Sequence, residues 1–275
     1  MKRLIQRAVG LFGYEIRRKA PRDPDVGEVE TDSLDAFTVQ RELIHGVEPV
    51  IFDIGAHVGY VTKRYRDLFP LASIYSFEPF PDSFEQLRRN TTDDSRTSVY
   101  DCAVSDKRDV VILHANEYPL TNSLLPTDDR GSFYWGEGRL ETRARVKVNS
   151  TTIDAFCAEH AISRIDILKL DIQGAEFVAL NGAKGMLSSK QVSLIYSEVI
   201  MAPTYEHQHK LHEYLGLLDS FGYELFDFYS PVRRGMQLIQ TNILLVGGDI
   251  CSRRSSSPGQ RMRRGGTWGG ETLPR

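Results

Sequence analysis

The chain has 275 residues, 41% hydrophobic and 26% charged, which suits one large α/β domain with short appendages and excludes a mostly disordered protein. Its formal net charge of −3 supplies no broad cationic field, so nucleic acid is not expected as a partner. Cys102, Cys157 and Cys251 lie far apart with no C-x-x-C pair, which argues against a disulfide framework or a zinc knuckle and for a reducing, cytoplasmic setting.

The first stretch, 1–34, opens with MKRLIQRAVGLFGYEIRRK, where Leu4, Ile5, Ala8, Val9 and Phe12 fall at helical spacing among Lys2, Arg3, Arg7, Arg17, Arg18 and Lys19. Such a basic amphipathic segment suits peripheral contact with the anionic inner face of a membrane, or a helix packed on the domain with its charges in water. No apolar run approaches the roughly 20 residues that span a bilayer, and no secretory signal is expected. A polar linker, PRDPDVGEVETD, follows, and the ordered domain is expected over 35–248.

Within that domain, apolar strand patterns fall at 50–54, 73–77, 98–102, 166–170, 192–197, 223–228 and 240–246. Helical patterns lie between them at 60–68, 82–90, 152–160, 175–180 and 209–221. The alternation predicts an α/β fold with a mainly parallel sheet covered by helices on both faces. The last two strands are separated only by SPVRRGMQLIQ, too short for a helical crossover, so the final strand is predicted antiparallel. The stretch 110–148, with Pro119, Pro126 and Asp128-Asp129, is too long for a tight connection and is predicted to hold an inserted hairpin near a ligand mouth. After it all, 249–275 is rich in Gly, Ser and Arg without apolar periodicity and is predicted disordered.

The first strand runs into VIFDIGAHVGY, an apolar run ending in an aspartate and two glycines four positions apart. In open parallel sheets ligands bind beyond the carboxyl ends of strands, where such turns feed a helix. Gly55 can take a backbone conformation closed to other residues and leave room for a ligand, and Gly59 lets the next helix pack closely. The spacing D-x-G-x-x-x-G is not the G-x-G-x-x-G of dinucleotide sites, and no G-K-S or G-K-T follows for a phosphate loop. An aspartate would repel a pyrophosphate but attract an ammonium or sulfonium. Glu78, in IYSFEPFP at the end of the second strand, can accept hydrogen bonds from both hydroxyls of a ribose, and Pro79 starts the turn after it. In combination these signals point to adenosine bound without a pyrophosphate.

The pieces IFDIGAHVGYVTKRY, YSFEPFPDSFEQL, DCAVSD, TTIDAFC, IDILKLDIQGAEFVALNGA and TNILLV resemble class I S-adenosylmethionine-dependent methyltransferases of the FkbM family, across about 35–246. The resemblance implies a Rossmann-like seven-stranded sheet with its last strand antiparallel. It implies that Asp53, Gly55 and Gly59 line the methionine end of S-adenosylmethionine, that Glu78 holds the ribose with Pro79 beside it in the cofactor site, and that Cys102 and Ala103 lie by the adenine. His57 stands where the family often has asparagine, and its contact with the cofactor stays open.

DILKLDIQGAE reads as a buried strand ending at Asp171, next to the first strand, so Asp171 is expected to face the methyl group. Methyl transfer needs the acceptor oriented and its proton received. Asp171 is the first candidate and Glu198, ending SLIYSE, the second. Two such carboxylates could hold a divalent cation, yet no tight ligand cluster supports one and no metal is assigned. Lys169, one alternation from Asp171, can pair with a carboxylate, and Glu176 can simply favour the positive end of a helix. Tyr205, His207 and His209 lie where acceptor-binding loops occur, with ordinary surface positions as the alternative. The resemblance implies O-methylation of a hydroxyl on a small-molecule or glycan acceptor, a sugar or related natural product. A noncatalytic cofactor-binding module in glycan or natural-product assembly is the other reading, and an NAD-dependent oxidoreductase is disfavoured by the missing third glycine.

Overall fold

The computed structural model describes residues 35–247 and Ile250; the expectations for the basic N-terminal segment and for the Arg-rich tail lie outside the described residues. Helix α1, Ala36–Leu43, starts at Asp35, whose carboxylate accepts the Thr38 N–H as an N-cap. Then come β1 (Val50–Ile54), α2 (Tyr60–Leu68), β2 (Ser73–Phe77), α3 (Pro81–Asn90) and β3 (Thr97–Tyr100). An added unit follows, with β4 (Cys102–Val104), β5 (Asp109–Asn116), α4 (Gly131–Trp135) and β6 (Thr142–Thr151). The chain resumes with α5 (Ile153–Glu159), β7 (Ile165–Leu170), α6 (Glu176–Asn181), α7 (Lys184–Ser188), β8 (Val192–Ile200), α8 (Leu211–Ser220), β9 (Glu224–Arg234) and β10 (Gln237–Val246).

The seven-stranded sheet has the order β3-β2-β1-β7-β8-β10-β9. β10 is antiparallel to both of its neighbours, β8 and β9, and every other pairing in this sheet is parallel. The fold is therefore the Rossmann-like α/β architecture expected. From β1 the chain winds outward through β2 and β3, then returns to place β7 on β1's other side. That reversal opens a crevice beyond the carboxyl ends of β1 and β7, the usual ligand position in such sheets.

Strand alternation divides the core. In β1, Phe52 and Ile54 join one layer with Phe156 of α5 and Leu180 of α6, while Ile51 joins the opposite layer with Tyr65 of α2 and Ile74 of β2. Asp53 shares Ile51's side, and in β7 Lys169 shares the side of Ile167. Each puts a charge at an otherwise apolar position of a strand buried on both faces.

Two segments differ from the sequence expectation, and the predicted inserted hairpin is present. The strand predicted at 98–102 is divided at exposed Asp101, with Thr97–Tyr100 in the main sheet and Cys102–Val104 in a second, three-stranded sheet of order β4-β6-β5. The inserted hairpin is β5 and β6, antiparallel, with Ala103, Leu113 and Val148 as a small core of their own. β9 continues past the predicted end at 228 as an edge strand, where Pro231 is tolerated because it falls in an irregularity of the pairing with β10, between Tyr229 and Val232. Its two-residue turn into β10 uses Gly235 at φ 59°.

Candidate functional site

Asp53 and Lys169 are register partners on β1 and β7. The Lys169 ammonium lies 2.9 Å from Asp53 Oδ1 in a buried ion pair, and it donates to the carbonyls of Gly55 at 2.8 Å and Ile54 at 3.3 Å. Thr62 Oγ1 donates to the other Asp53 oxygen at 2.7 Å. Burial alone would push the ammonium toward neutrality, but Asp53 and Asp171 more than offset that and hold its pKa above the usual lysine value. Asp53 is 0% exposed. Its carboxylate offers no face for direct ligand contact, in contrast to the expected lining role; it anchors Lys169, which in turn clamps the glycine turn.

Gly55, at φ 78°, is required for a different reason than ligand space: a Cβ there would sit 1.9 Å from the Asp171 carbonyl oxygen. The end of β7 occupies the room. Gly59, at φ 94°, starts α2 and would press a Cβ to 2.9 Å from Leu87 of α3, so it serves helix packing. Between them His57 is held at φ 50°, and its N–H donates to Glu78 Oε2 at 2.9 Å. Burial lowers the imidazole pKa, with nearby Asp171 opposing and Lys169 assisting.

Glu78 Oε1 accepts a second backbone N–H, from Phe80 at 2.9 Å. Burial nevertheless pushes this carboxyl up to about 7, only partly opposed by those two bonds. It forms one wall of a cleft with Gly55, Pro79, Ala103, Leu113 and Ile172. Strand alternation in β4 turns Ala103 to this cleft and Cys102 against the main core, where burial raises the thiol to about 11. Leu113, Ser123 and Leu124 bring the inserted unit to the cleft mouth.

The turn after β7 carries most of the remaining polar chemistry. Asp171 is 42% exposed at the strand tip, with Oδ2 3.9 Å from Lys169. Gln173 and Gly174 both adopt left-handed backbone, at φ 57° and 91°. For a glutamine that conformation costs about 1–3 kcal/mol and persists only where its surroundings enforce it. Glu176 is fully buried beneath the turn, not a solvated helix-start charge: Oε1 accepts N–H groups from Ile172 and Gly174, and Tyr214 donates to Oε2. Glu198, on β8, is 4% exposed, accepting from Gln173 Nε2 at 2.8 Å and from Gln240 at 2.5 Å. Burial first, then the charges of Asp171 and Glu176, raise the Glu198 carboxyl well above its ordinary range.

Tyr205 is buried against this turn, its hydroxyl 2.9 Å from the Thr121 carbonyl and 3.1 Å from Gln173 Oε1. His209 packs its ring on Phe177, and His207 is exposed. Gln173 and Ser123 carried no sequence expectation, yet Ser123 Oγ donates to the Gln173 carbonyl and ties the inserted unit to the turn. Among the described residues there is no group of three or more His, Cys, Asp or Glu side chains placed for a metal ion. The structure thus brings Gly55, Glu78, Pro79 and Ala103 to one cleft, places Asp171 at the tip of β7, two residues after Lys169, and sets Glu198 beneath Gln173.

The cleft walls fit an adenosine carrying a cationic chain. Apolar Ala103 and Leu113 suit a flat ring, Glu78 suits hydroxyl donors, and at the tips of β1 and β7 the single ammonium of Lys169 faces Asp53, Asp171 and Glu198. A family model described as the methyltransferase FkbM domain matches residues 53–225. The 2-O-methyltransferase NoeI of Sinorhizobium fredii is 29% identical over 199 residues, covering 70% of this chain and 79% of that protein. The 31-O-demethyl-FK506 methyltransferase FkbM of Streptomyces tacrolimicus is 25% identical over 239 residues, or 78% and 90% of the two chains. Among solved structures, the magnesium protoporphyrin IX methyltransferase of Synechocystis aligns with a TM-score of 0.44 and 9% identity over 77% of each chain.

Proposed function

This chain belongs to the methyltransferase FkbM family and is an S-adenosylmethionine-dependent methyltransferase, and from that premise we propose that it methylates a hydroxyl oxygen of a small-molecule or glycan acceptor. The single observation that carries the choice of oxygen is Asp171, an exposed carboxylate at the tip of β7, next to the strand whose turn borders the cleft. A hydroxyl gives up a proton when it is methylated, and a carboxylate at that position can receive it. The 29% identical NoeI, a 2-O-methyltransferase, supports the same reading.

When bound, the cofactor supplies an electrophilic methyl group on a positively charged sulfur. Glu78 is assigned to the ribose hydroxyls, with Pro79 and Ala103 beside the nucleoside. Gly55, Gly59 and Asp53 act on the turn that borders it: Asp53 through Lys169, the glycines by letting the backbone close. His57 fixes Glu78 through its N–H. With an acceptor hydroxyl in place, Asp171 would receive the proton that the hydroxyl gives up on methylation. Glu198, buried under Gln173, is assigned to supporting Asp171 and not to touching the acceptor.

The test is release of demethylated cofactor from S-adenosylmethionine in the presence of glycan and metabolite fractions, with mass spectrometry locating the added methyl. An oxygen-linked methyl in wild type, and Asp171→Asn slowing transfer at least tenfold while cofactor affinity changes little, is the expected result. A nitrogen- or carbon-linked methyl, or wild-type turnover in Asp171→Asn, overturns the assignment.

A further inference from the structure

The Gln173 side chain hydrogen-bonds both candidate acids. Its amide nitrogen spends its two hydrogens on Asp171 Oδ1, at 3.2 Å, and Glu198 Oε2, at 2.8 Å. Its amide oxygen faces the Tyr205 hydroxyl. The opposite amide orientation would set an oxygen between two carboxylates, so the chemistry of the neighbours selects this one. The backbone enforces the placement: the residue is held at φ 57°, its carbonyl is bonded by Ser123 and its successor Gly174 gives an N–H to buried Glu176. An ordinary turn residue would point this amide to water and relax its backbone.

We propose that Gln173 is a positioning residue for methyl transfer, its amide yoking exposed Asp171 to buried Glu198 and thereby fixing the orientation in which Asp171 receives the acceptor's proton. This rests on the reading of Asp171 as proton acceptor. The yoke gives each acid one shared donor, so a change in one carboxylate's charge is felt by the other. Glu198 faces Asp171 and Lys169 from β7 and its turn, Glu176 from α6, Gln240 from β10 and the Tyr205 hydroxyl from the following loop. Lys169 is the only cation named among these, and it is already paired with Asp53. Gln173 therefore supplies the neutral donor that lets two acids approach without a second cation.

The experiment uses the full chain loaded with S-adenosylhomocysteine and isotopically labelled at glutamate carboxyls, with the Glu198 resonance assigned by its disappearance in Glu198→Gln. In Gln173→Met the Glu198 titration midpoint should rise by about one pH unit, because a donor to its charged form is gone. Tyr205→Phe, which keeps the amide but frees it, should move the midpoint the same way by less, and it carries the test should Gln173→Met not fold. Calorimetric affinity for S-adenosylmethionine should stay within about twofold, while turnover with the active acceptor fraction falls about tenfold. Superimposed titrations, or a moved titration with wild-type turnover, overturn the proposal. A wild type that binds cofactor but turns over no fraction defeats the functional reading instead, and the titration still decides the yoke.

Discussion

Glu78 shows how a site residue is held ready at a cost. Its carboxyl, raised from 4.5 to about 7, binds its proton more tightly in the folded chain than in the unfolded one. By linkage, its contribution to the stability of the ligand-free protein is full below about pH 4.5 and is lost as pH rises toward 7. Glu78→Gln should therefore raise the melting temperature relative to wild type by an amount that grows over that window and levels off above it; a pH-independent difference would contradict the buried-acid account. Gly55→Ala meets a harder limit, since its Cβ would overlap the Asp171 carbonyl at a positive φ. A loss of more than about 3 kcal/mol in urea unfolding is expected, whereas Gly216→Ala, where a Cβ meets open space inside α8, should gain about 0.5–1 kcal/mol. Glycine at 55 was conspicuous in the sequence, but not its reason. A pattern shows where backbone freedom is needed and is silent on whether a ligand or a neighbouring strand fills the space.

At the scale of elements, β1 and β7 form one unit. Lys169→Met would leave Asp53 buried without its cation and should cost about 3–5 kcal/mol, whereas the double replacement Asp53→Asn with Lys169→Met should recover much of that loss. Additive losses in denaturant titrations would show that the pair does not act as a pair. This unit was half legible: one acid in VIFDI and one lysine in ILKL, each alone in an apolar run, are the sort of charges that must find partners when both strands are central. β1 and α2 were legible to the residue because a short apolar run, buried from Ile51 to Ile54, gives way to a helical pattern at a left-handed glycine. The break at Asp101 was not legible, since a strand leaving one sheet for another keeps the same alternation on both sides. Gln173 was hidden too, for a polar loop residue advertises nothing until its neighbours are known.

For the whole molecule, the order β3-β2-β1-β7-β8-β10-β9 puts the reversal of winding order between the parallel strands β1 and β7, and the inserted sheet closes over the same end. The proposed cofactor cleft lies at that end, and the inserted unit, held to the turn after β7 by Ser123, Thr121 and Tyr205, is where acceptor preference is expected to reside. The most direct measurement is calorimetric titration of S-adenosylmethionine into wild type and Glu78→Ala in buffers of different ionisation enthalpy. The account predicts proton release on binding to wild type below about pH 7, and binding weaker by about 1–3 kcal/mol with that release abolished in the variant. Equal affinity and equal proton exchange in the two proteins would contradict it.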